Sequence, residues 1–418
     1  MITAEWMVCP LRPKEASGSR PLRGRALLSI AALALVLGGA SCGRKSAGWQ
    51  GTIQVENGVT VVRNPARGIW DMQGRTGPSL VIERRIGALD GPAELTFAGI
   101  SDIAVNAKGE IYVADRRLAE IRKFDKDGRY LLSFGRKGQG PGEFQSIRVL
   151  SIGSRDEVIV FDDMLGRVSL FSKNGEFRTT TRRLSEKEWI SPARIFCSDR
   201  GYVLFGKIGD GLKLFHEFRE DWSLTGSFID YEPIDNKDFE AAWLNSSPGY
   251  CDFQGPGDIL YVKPFFDNRV LLYKDKRLTR IIERDSNSKK PYEVEVFHDV
   301  QRALGLQRQH DFASFGGDVA YLGQALLTSR GLYRMPAGDI VNFLSIRKGT
   351  APVDAAERKD RNLWDLAIEL YDPEGRLLSY TVFGPDPGLN IRRMDANGLF
   401  YAIEQKDFPK IVTFRLNY

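Results

Sequence analysis

Apolar runs of four to six residues, broken by turns rich in Gly, Asp and Asn, recur along this chain. Between Ile100 and Phe134 the order is Ile100–Val105, the turn Asn106-Ala107-Lys108-Gly109, then Ile111–Asp115 and a loop. Residues 121–124 follow, then the turn Asp125-Lys126-Asp127-Gly128, and Tyr130–Phe134 closes the unit. Such short β-rich runs, bounded by turn residues, predict four strands. Runs such as Ile111-Tyr112-Val113-Ala114 do not alternate apolar with polar, which implies burial on both faces of the sheet.

The unit repeats at a pitch near 45–50 residues, the period of propellers and other arrays. In the second copy Val158–Asp162, Arg167–Phe171, the turn Ser172-Lys173-Asn174-Gly175 and residues 177–181 match in turn. The third runs through Ile195, 202–205, 212–218 and 224–229, and the fourth through Tyr250–Phe253, 259–262, 270–273 and 278–282. The fifth is irregular: 324–328 reads as its second strand, and 366–371 and 377–382 as its third and fourth. The sixth has 391–394, 399–403 and 411–414, and then the chain ends one strand short. A spare strand lies at 80–86. The connector after it, Gly91-Pro92-Ala93-Glu94-Leu95, recurs 49 residues later as Gly140-Pro141-Gly142-Glu143-Phe144. A solenoid would bury both faces of its repeats but needs a cap at each end. One strand missing at one end and one spare at the other predict a closed ring without free edges. The expected fold is all-β: a six-bladed β-propeller whose last blade is completed by an N-terminal strand, with short helical insertions.

The Ile-Tyr-Val-Ala-Asp run at 111–115, the Phe124-Asp125-Lys126-Asp127-Gly128 turn and the 135–144 connector resemble NHL repeats, and the whole chain resembles a group of bacterial lipoproteins described only as six-bladed β-propellers. The hairpin signal Val55-Glu56-Asn57-Gly58-Val59 resembles that group too, with Asn-Gly favouring a type I′ turn. In NHL repeats an Asp ending the second strand often accompanies an Arg opening the third. Asp162 with Arg167 and Asp267 with Arg269 fit this pattern, whereas Glu120 stands where the first unit would carry its Arg. The family includes protein and RNA binders, sensor domains and a few enzymes, so the resemblance leaves function to the site.

The N-terminus changes the picture by adding an address. Arg20, Arg23 and Arg25 precede a 12-residue uncharged run, 26–37, and small residues lead to Cys42. This is the order of a secretory signal, and the run is short of the roughly 20 residues that span a bilayer. Small residues before Cys resemble the bacterial lipobox, with Cys42 acylated as the mature N-terminus. Gly39 departs from that box, which usually has Leu three residues before the Cys, so cleavage without lipid stays open. Residues 1–19 are long for the start of a signal, which leaves a downstream translation start open as well. The expected organisation is a signal peptide at 1–41, a tether with a β-hairpin at 42–77 and the propeller at 78–418. The signal carries five basic and two acidic side chains, so its loss lowers the formal net charge from +5 to +2, and nothing points to nucleic acid. Of four cysteines, Cys197 and Cys251 remain in the propeller, to pair or to stay as buried thiols.

Candidate chemistry is sparse. Connections between first and second, and third and fourth, strands are short; the long segments 232–248, 284–311 and 331–362 fall on the opposite face, where binding residues are expected. Residues 292–306 have helical spacing, and Phe239, Trp243, Tyr250 and Phe253 cluster aromatics near a further short helix. First strands, which line the channel, carry Arg148, Arg194, and Arg392 with Arg393, while Arg330 ends a strand before the largest insertion. Arg148, Arg194, Arg330 and Arg392 are therefore the candidate ligand-binding residues, an electropositive axis for an anion; the competing reading pairs them with nearby Asp102 and Asp252. His216, His298 and His310 have no ligand spacing, and Gly138–Gly142 reads as a turn rather than a phosphate loop. No catalytic residue, metal ligand or cofactor is assigned. The expected function is non-catalytic binding of a protein, peptide or glycan through the long-loop face of a lipid-anchored, exported propeller. The alternative is a metal-dependent hydrolase or lyase using carboxylates at the channel mouth, with Asp102, Asp252 and Glu404 near the right strand ends.

The anchor predicts that radiolabelled fatty acid enters the parent chain but not Cys42→Ala; equal labelling of the two removes it.

Overall fold

The computed structural model describes residues 48–181, 190–209, 213–230, 249–263, 269–285, 292–306, 312–316, 319–348 and 363–418. A hairpin of β1 (Thr52–Glu56) and β2 (Val59–Asn64) leads to a short helix α1 (Ile69–Met72) and then β3 (Ser79–Ile86). Blade 1 is β4 (Ile100–Val105), β5 (Ile111–Asp115), β6 (Glu120–Phe124) and β7 (Tyr130–Phe134); blade 2 is β8 (Ile147–Ile152), β9 (Val158–Asp162), β10 (Arg167–Phe171) and β11 (Phe177–Thr180). Blade 3 is β12 (Ile190–Ser198), β13 (Gly201–Ile208), β14 (Lys213–Phe218) and β15 (Leu224–Asp230). Blade 4 is β16 (Tyr250–Phe253), β17 (Asp258–Val262), β18 (Val270–Lys274) and β19 (Arg277–Arg284). An inserted three-stranded sheet follows: β20 (Tyr292–Phe297), then α2 (Val300–Leu306), β21 (Phe312–Gly316) and β22 (Val319–Ala325). Blade 5 is β23 (Leu327–Arg334), β24 (Ile340–Arg347), β25 (Trp364–Tyr371) and β26 (Leu377–Pro385). Blade 6 is β27 (Leu389–Met394), β28 (Phe400–Glu404) and β29 (Lys410–Asn417), with β3 as its fourth strand. The protein is a six-bladed β-propeller.

Ring closure is the antiparallel pairing of β29 with β3, from Ile411↔Ile86 to Asn417↔Ser79. Phe414, Phe400 and Phe343 pack across blades 5 and 6, with the Phe400 and Phe414 rings stacked 5.0 Å apart. Near-continuous apolar runs become second strands buried along their whole length, as in β5, β9 and β28, while the outer strands β7 and β11 face solvent.

Two repeated devices hold the blades in order. Asp115 ends β5, fully buried, and accepts from the backbone N–H groups of Ala98, Gly99, Arg117 and Leu118. Asp162 does the same for Gln145, Ser146, Met164 and Leu165. Each carboxylate thus ties the incoming connector to the turn after the second strand. The arginine partner works through backbone as well: Arg167 donates to the Gly140 and Glu143 carbonyls, and in blade 1 Arg122 donates to those of Glu94 and Thr96, with Glu120 as its ion-pair partner. The second device is the Gly of the third-to-fourth turns in blades 1, 2 and 5, Gly128, Gly175 and Gly375. Gly175 has φ +81°, and a Cβ there would lie 2.7 Å from Phe134 on the neighbouring blade, so both conformation and close approach demand glycine.

The N-terminal segment belts three blades. Asn57 and Gly58 have φ 50° and 81°, the positive pair of a type I′ turn. β2 then adds to β19 in parallel, extending blade 4 to six strands. Buried Asn64 accepts from Leu377 N at 2.7 Å and donates to Gly375 O at 2.9 Å, and Asp71 of α1 accepts from Ser379 and Tyr380. The chain crosses blade 5 in this way before entering blade 6.

The structure corrects the fifth repeat. Residues 324–328 are not its second strand; they bridge β22 and β23, and the second strand is β24. Residues 331–347 of the expected 331–362 insertion are blade core, which leaves 348–363 as the connection. A buried polar ladder explains the misreading: Ser329 Oγ donates to Asn342 Oδ1 at 2.7 Å, Asn342 Nδ2 to Glu369 Oε2 at 2.9 Å, and Arg284 Nε to Glu369 Oε1 at 2.7 Å. Asn342 stands on the second strand where blades 1, 2 and 3 place Val113, Val160 and Leu204. Residues 292–306 are a strand followed by a helix, not one helix. Phe239 and Trp243, Asp267 and His310 lie outside the described residues. Cys197 and Cys251 are both free thiols.

Truncating Phe414 to Ala removes a buried ring at the closing seam and is expected to cost about 3–5 kcal/mol, whereas Val55→Ala on exposed β1 should stay within about 0.5 kcal/mol. Urea unfolding of the two variants beside the parent measures the difference.

Candidate functional site

Inner strands present one unpaired edge to the axis, and five of the six carry a β-bulge near the end where the chain arrives from the previous blade. The bulged residues are Ser101, Arg148, Ala193, Arg330 and Arg392. A bulge re-aims the side chain it carries, and three of these five are arginine. Arg330 therefore sits within a first strand at a bulge, rather than at a strand end before an insertion, which corrects its expected place.

The arginines reach across to neighbouring inner edges. Arg148 donates Nε–H to the Pro192 carbonyl at 3.2 Å, with Asp163 3.9 Å from its Nη1. Arg392 donates from Nη2 to Ser101 O at 2.6 Å, and its Nε lies 3.9 Å from Asp102 without a hydrogen bond. Arg393 donates to Leu150 O at 2.7 Å and to Asp102 Oδ2 at 3.3 Å. Asp102, almost wholly buried, also accepts from Leu150 N at 2.9 Å. Arg330 pairs separately with Asp386 at 3.4 Å, which Ser345 and Gly388 also bind.

Positive charge outweighs negative around Asp102. Four guanidinium groups, Arg148, Arg194, Arg392 and Arg393, meet two carboxylates, Asp102 and Asp163, and Asp163 also serves Arg116. Burial and the nearby Arg194 and Arg392 outweigh Asp102 and lower Arg393 to about 10. Burial likewise lowers Arg148, opposed by Asp163 and reinforced by Arg116 and Arg392. For Arg194 the penalty of burial is more than offset by Tyr333, Cys251 and Asp102, so its value is raised. Among the described residues no carboxylate lies within 4 Å of Arg194. Asp102 pairs with Arg392 and Arg393, and these four guanidinium groups exceed the two carboxylates by two charges. Asp252 does not join this network by direct contact; burial raises its carboxyl, offset by Gln254, Arg334 and Arg194.

A cavity of about 450 Å³ runs inward from the other end of the inner strands, where the short first-to-second turns lie. Arg194 and Arg393 line it, with Ser151, Ser198, Phe196 and Phe253. This opening is on the face opposite the long connections, and no motif along the chain points to it. Tyr333 was also missed, because blade 5 was misread; its buried hydroxyl oxygen faces the guanidinium groups of Arg194 and Arg393, and its proton has no acceptor.

The residues considered for catalysis are dispersed. Glu404 pairs with Arg85 and Lys410 on the strands beside it, away from the Asp102 network. His216 is buried between Ser227 Oγ and the Gly206 carbonyl, and burial lowers its value. Among the described residues no group of three or more His, Cys, Asp or Glu side chains is placed to hold a metal ion.

Strand order and ring closure define the class as a six-bladed β-propeller. More narrowly, residues 88–308 match the model of the DUF5128 family, described as a 6-bladed beta-propeller, and the chain belongs to that family. No functionally curated protein matches the sequence. Among solved structures it is similar to a DUF4221-family member from Bacteroides vulgatus, with 12% identity, 81% of this chain and 98% of that one covered, and a TM-score of 0.55. A presumptive exported protein from Bacteroides fragilis is similar over 86% of this chain and 100% of its own, at 11% identity and a TM-score of 0.50. At these identities the likeness is one of fold.

Asp102→Ala strips Arg392 and Arg393 of their shared carboxylate and leaves Leu150 N–H unbonded. Breaking a buried pair from one side is expected to cost about 3–5 kcal/mol, read as a lowered urea midpoint with an unchanged slope.

Proposed function

We propose that this protein is an exported, lipid-anchored, non-catalytic propeller that binds a protein, peptide or glycan partner on the face carrying its long connections. The signal-like N-terminus and Cys42 support export and anchoring. The observation that carries the binding reading is an asymmetry between the two faces. First-to-second and third-to-fourth connections in the described chain are five residues or fewer, as at 106–110, 125–129 and 372–376. The connections of the other face include the whole inserted sheet between blades 4 and 5 and the stretch 348–363 within blade 5. Long segments on a rigid ring place recognition groups without loading the fold. The bulged arginines Arg148, Arg330 and Arg392 lie near the strand ends that meet this face, and each keeps between 34% and 40% of its side chain exposed. They favour a partner that presents acidic groups to the channel mouth.

The reading is tested by replacing residues 349–362 with a short Gly-Ser linker in the full chain and comparing in-cell crosslinking with the parent. Partner recovery should fall about tenfold or more, the loss of a central contact, with the thermal midpoint unchanged. Undiminished recovery with a folded variant overturns the choice of face.

A further inference from the structure

The cavity at the short-turn end of the channel is a second feature, independent of the long connections. Its inner end is cationic and its wall is aromatic. Arg194 reaches it from β12 without a carboxylate within 4 Å among the described residues, and Arg393 reaches it from β27 sharing Asp102 with Arg392. Phe196 and Phe253 stack at 4.5 Å with an interplanar angle of 20°, forming a flat apolar side. Tyr333 is 5% exposed; its oxygen faces the Arg194 guanidinium, yet its hydroxyl proton has no acceptor. A buried hydroxyl is ordinarily satisfied, so this group is a donor awaiting an acceptor next to two guanidinium groups. Asp199 also lines the cavity, and Asp252, bonded to Gln254, acts on Arg194 at longer range. These carboxylates moderate the positive field without forming an ion pair with Arg194.

We infer that the short-turn mouth is an oxyanion site, in which a carboxylate or phosphate group is held between Arg194 and Arg393 and accepts from the Tyr333 hydroxyl, while the body of its carrier lies on the Phe196–Phe253 wall. Guanidinium forks suit planar and tetrahedral oxyanions alike, and burial from water strengthens the contact. Chloride presents no set of oxygens to several donors at once, so the site discriminates by geometry as well as charge. The wall distinguishes the two carriers: a carboxylate on a flat apolar ring uses it, whereas inorganic phosphate does not.

Calorimetric titration of the full-length protein with potassium phosphate and with sodium benzoate, at ionic strength held constant with chloride, tests the site. Saturable binding of at least one probe is expected. Tighter benzoate assigns a carboxylate with a flat body, and phosphate alone assigns a phosphate group. Arg194→Met removes no ion pair of the described fold and should weaken the bound probe by about tenfold or more, the value of a charge-assisted hydrogen bond. Tyr333→Phe should weaken it severalfold while keeping the core ring, and carries the test if Arg194→Met fails to fold. Replacing 349–362 should leave probe binding unchanged, so the failure of either proposal is visible without the other. Absence of saturable heat for both probes, or unchanged affinity in both variants, overturns the inference.

Discussion

A four-stranded blade cannot stand alone, because each of its faces is apolar and must be covered by the next. The pairing of β3 with β29 is the constraint from which the rest follows. It completes blade 6 with a strand from the opposite end of the propeller sequence, so that every blade has a neighbour on both sides. Without it, blade 6 would expose an unpaired edge and the Phe343–Phe400–Phe414 seam would open to water. Closure of so long a loop carries an entropic cost that grows only slowly with length, and the contacts along the seam offset it.

The same closure creates the axis. Six inner edges converge there, and their carbonyls require donors. Arg148, Arg392 and Arg393 supply them at Pro192, Ser101 and Leu150. Arginine suits this duty because its several donors serve a carbonyl and a carboxylate at once. The consequence is a positive interior, since carbonyl oxygens satisfy hydrogen bonds without neutralising charge. Structure and binding therefore draw on the same side chains, with Arg194 the member whose structural duty is lightest.

Much of this architecture is legible in the sequence, for identifiable reasons. The Gly of the third-to-fourth turns in blades 1, 2 and 5, at 128, 175 and 375, abuts the adjacent blade, and the Asp ending β5 and β9 must accept four amides, so both leave marks at the blade pitch. The closing strand betrayed itself through the duplicated connector. Blade 5 resisted reading because Ser329 and Asn342, on its first and second strands, join a hydrogen-bonded ladder to Glu369, and hydropathy does not distinguish a satisfied polar core from a loop. The arginines were visible as residues, but not the bulges that aim them, since a bulge depends on register between strands. The short-turn cavity depends on packing between blades and left no local trace.

The N-terminal belt has a mechanical consequence. A pull exerted at Gly48 is transmitted first to the β1–β2 hairpin on blade 4, then to the Asn64 and Asp71 clasps on blade 5, and only last to β3. The belt works as a strain relief, like the knot where a cable enters its plug. Tension peels the outer wrapping before it reaches the seam that keeps the ring shut.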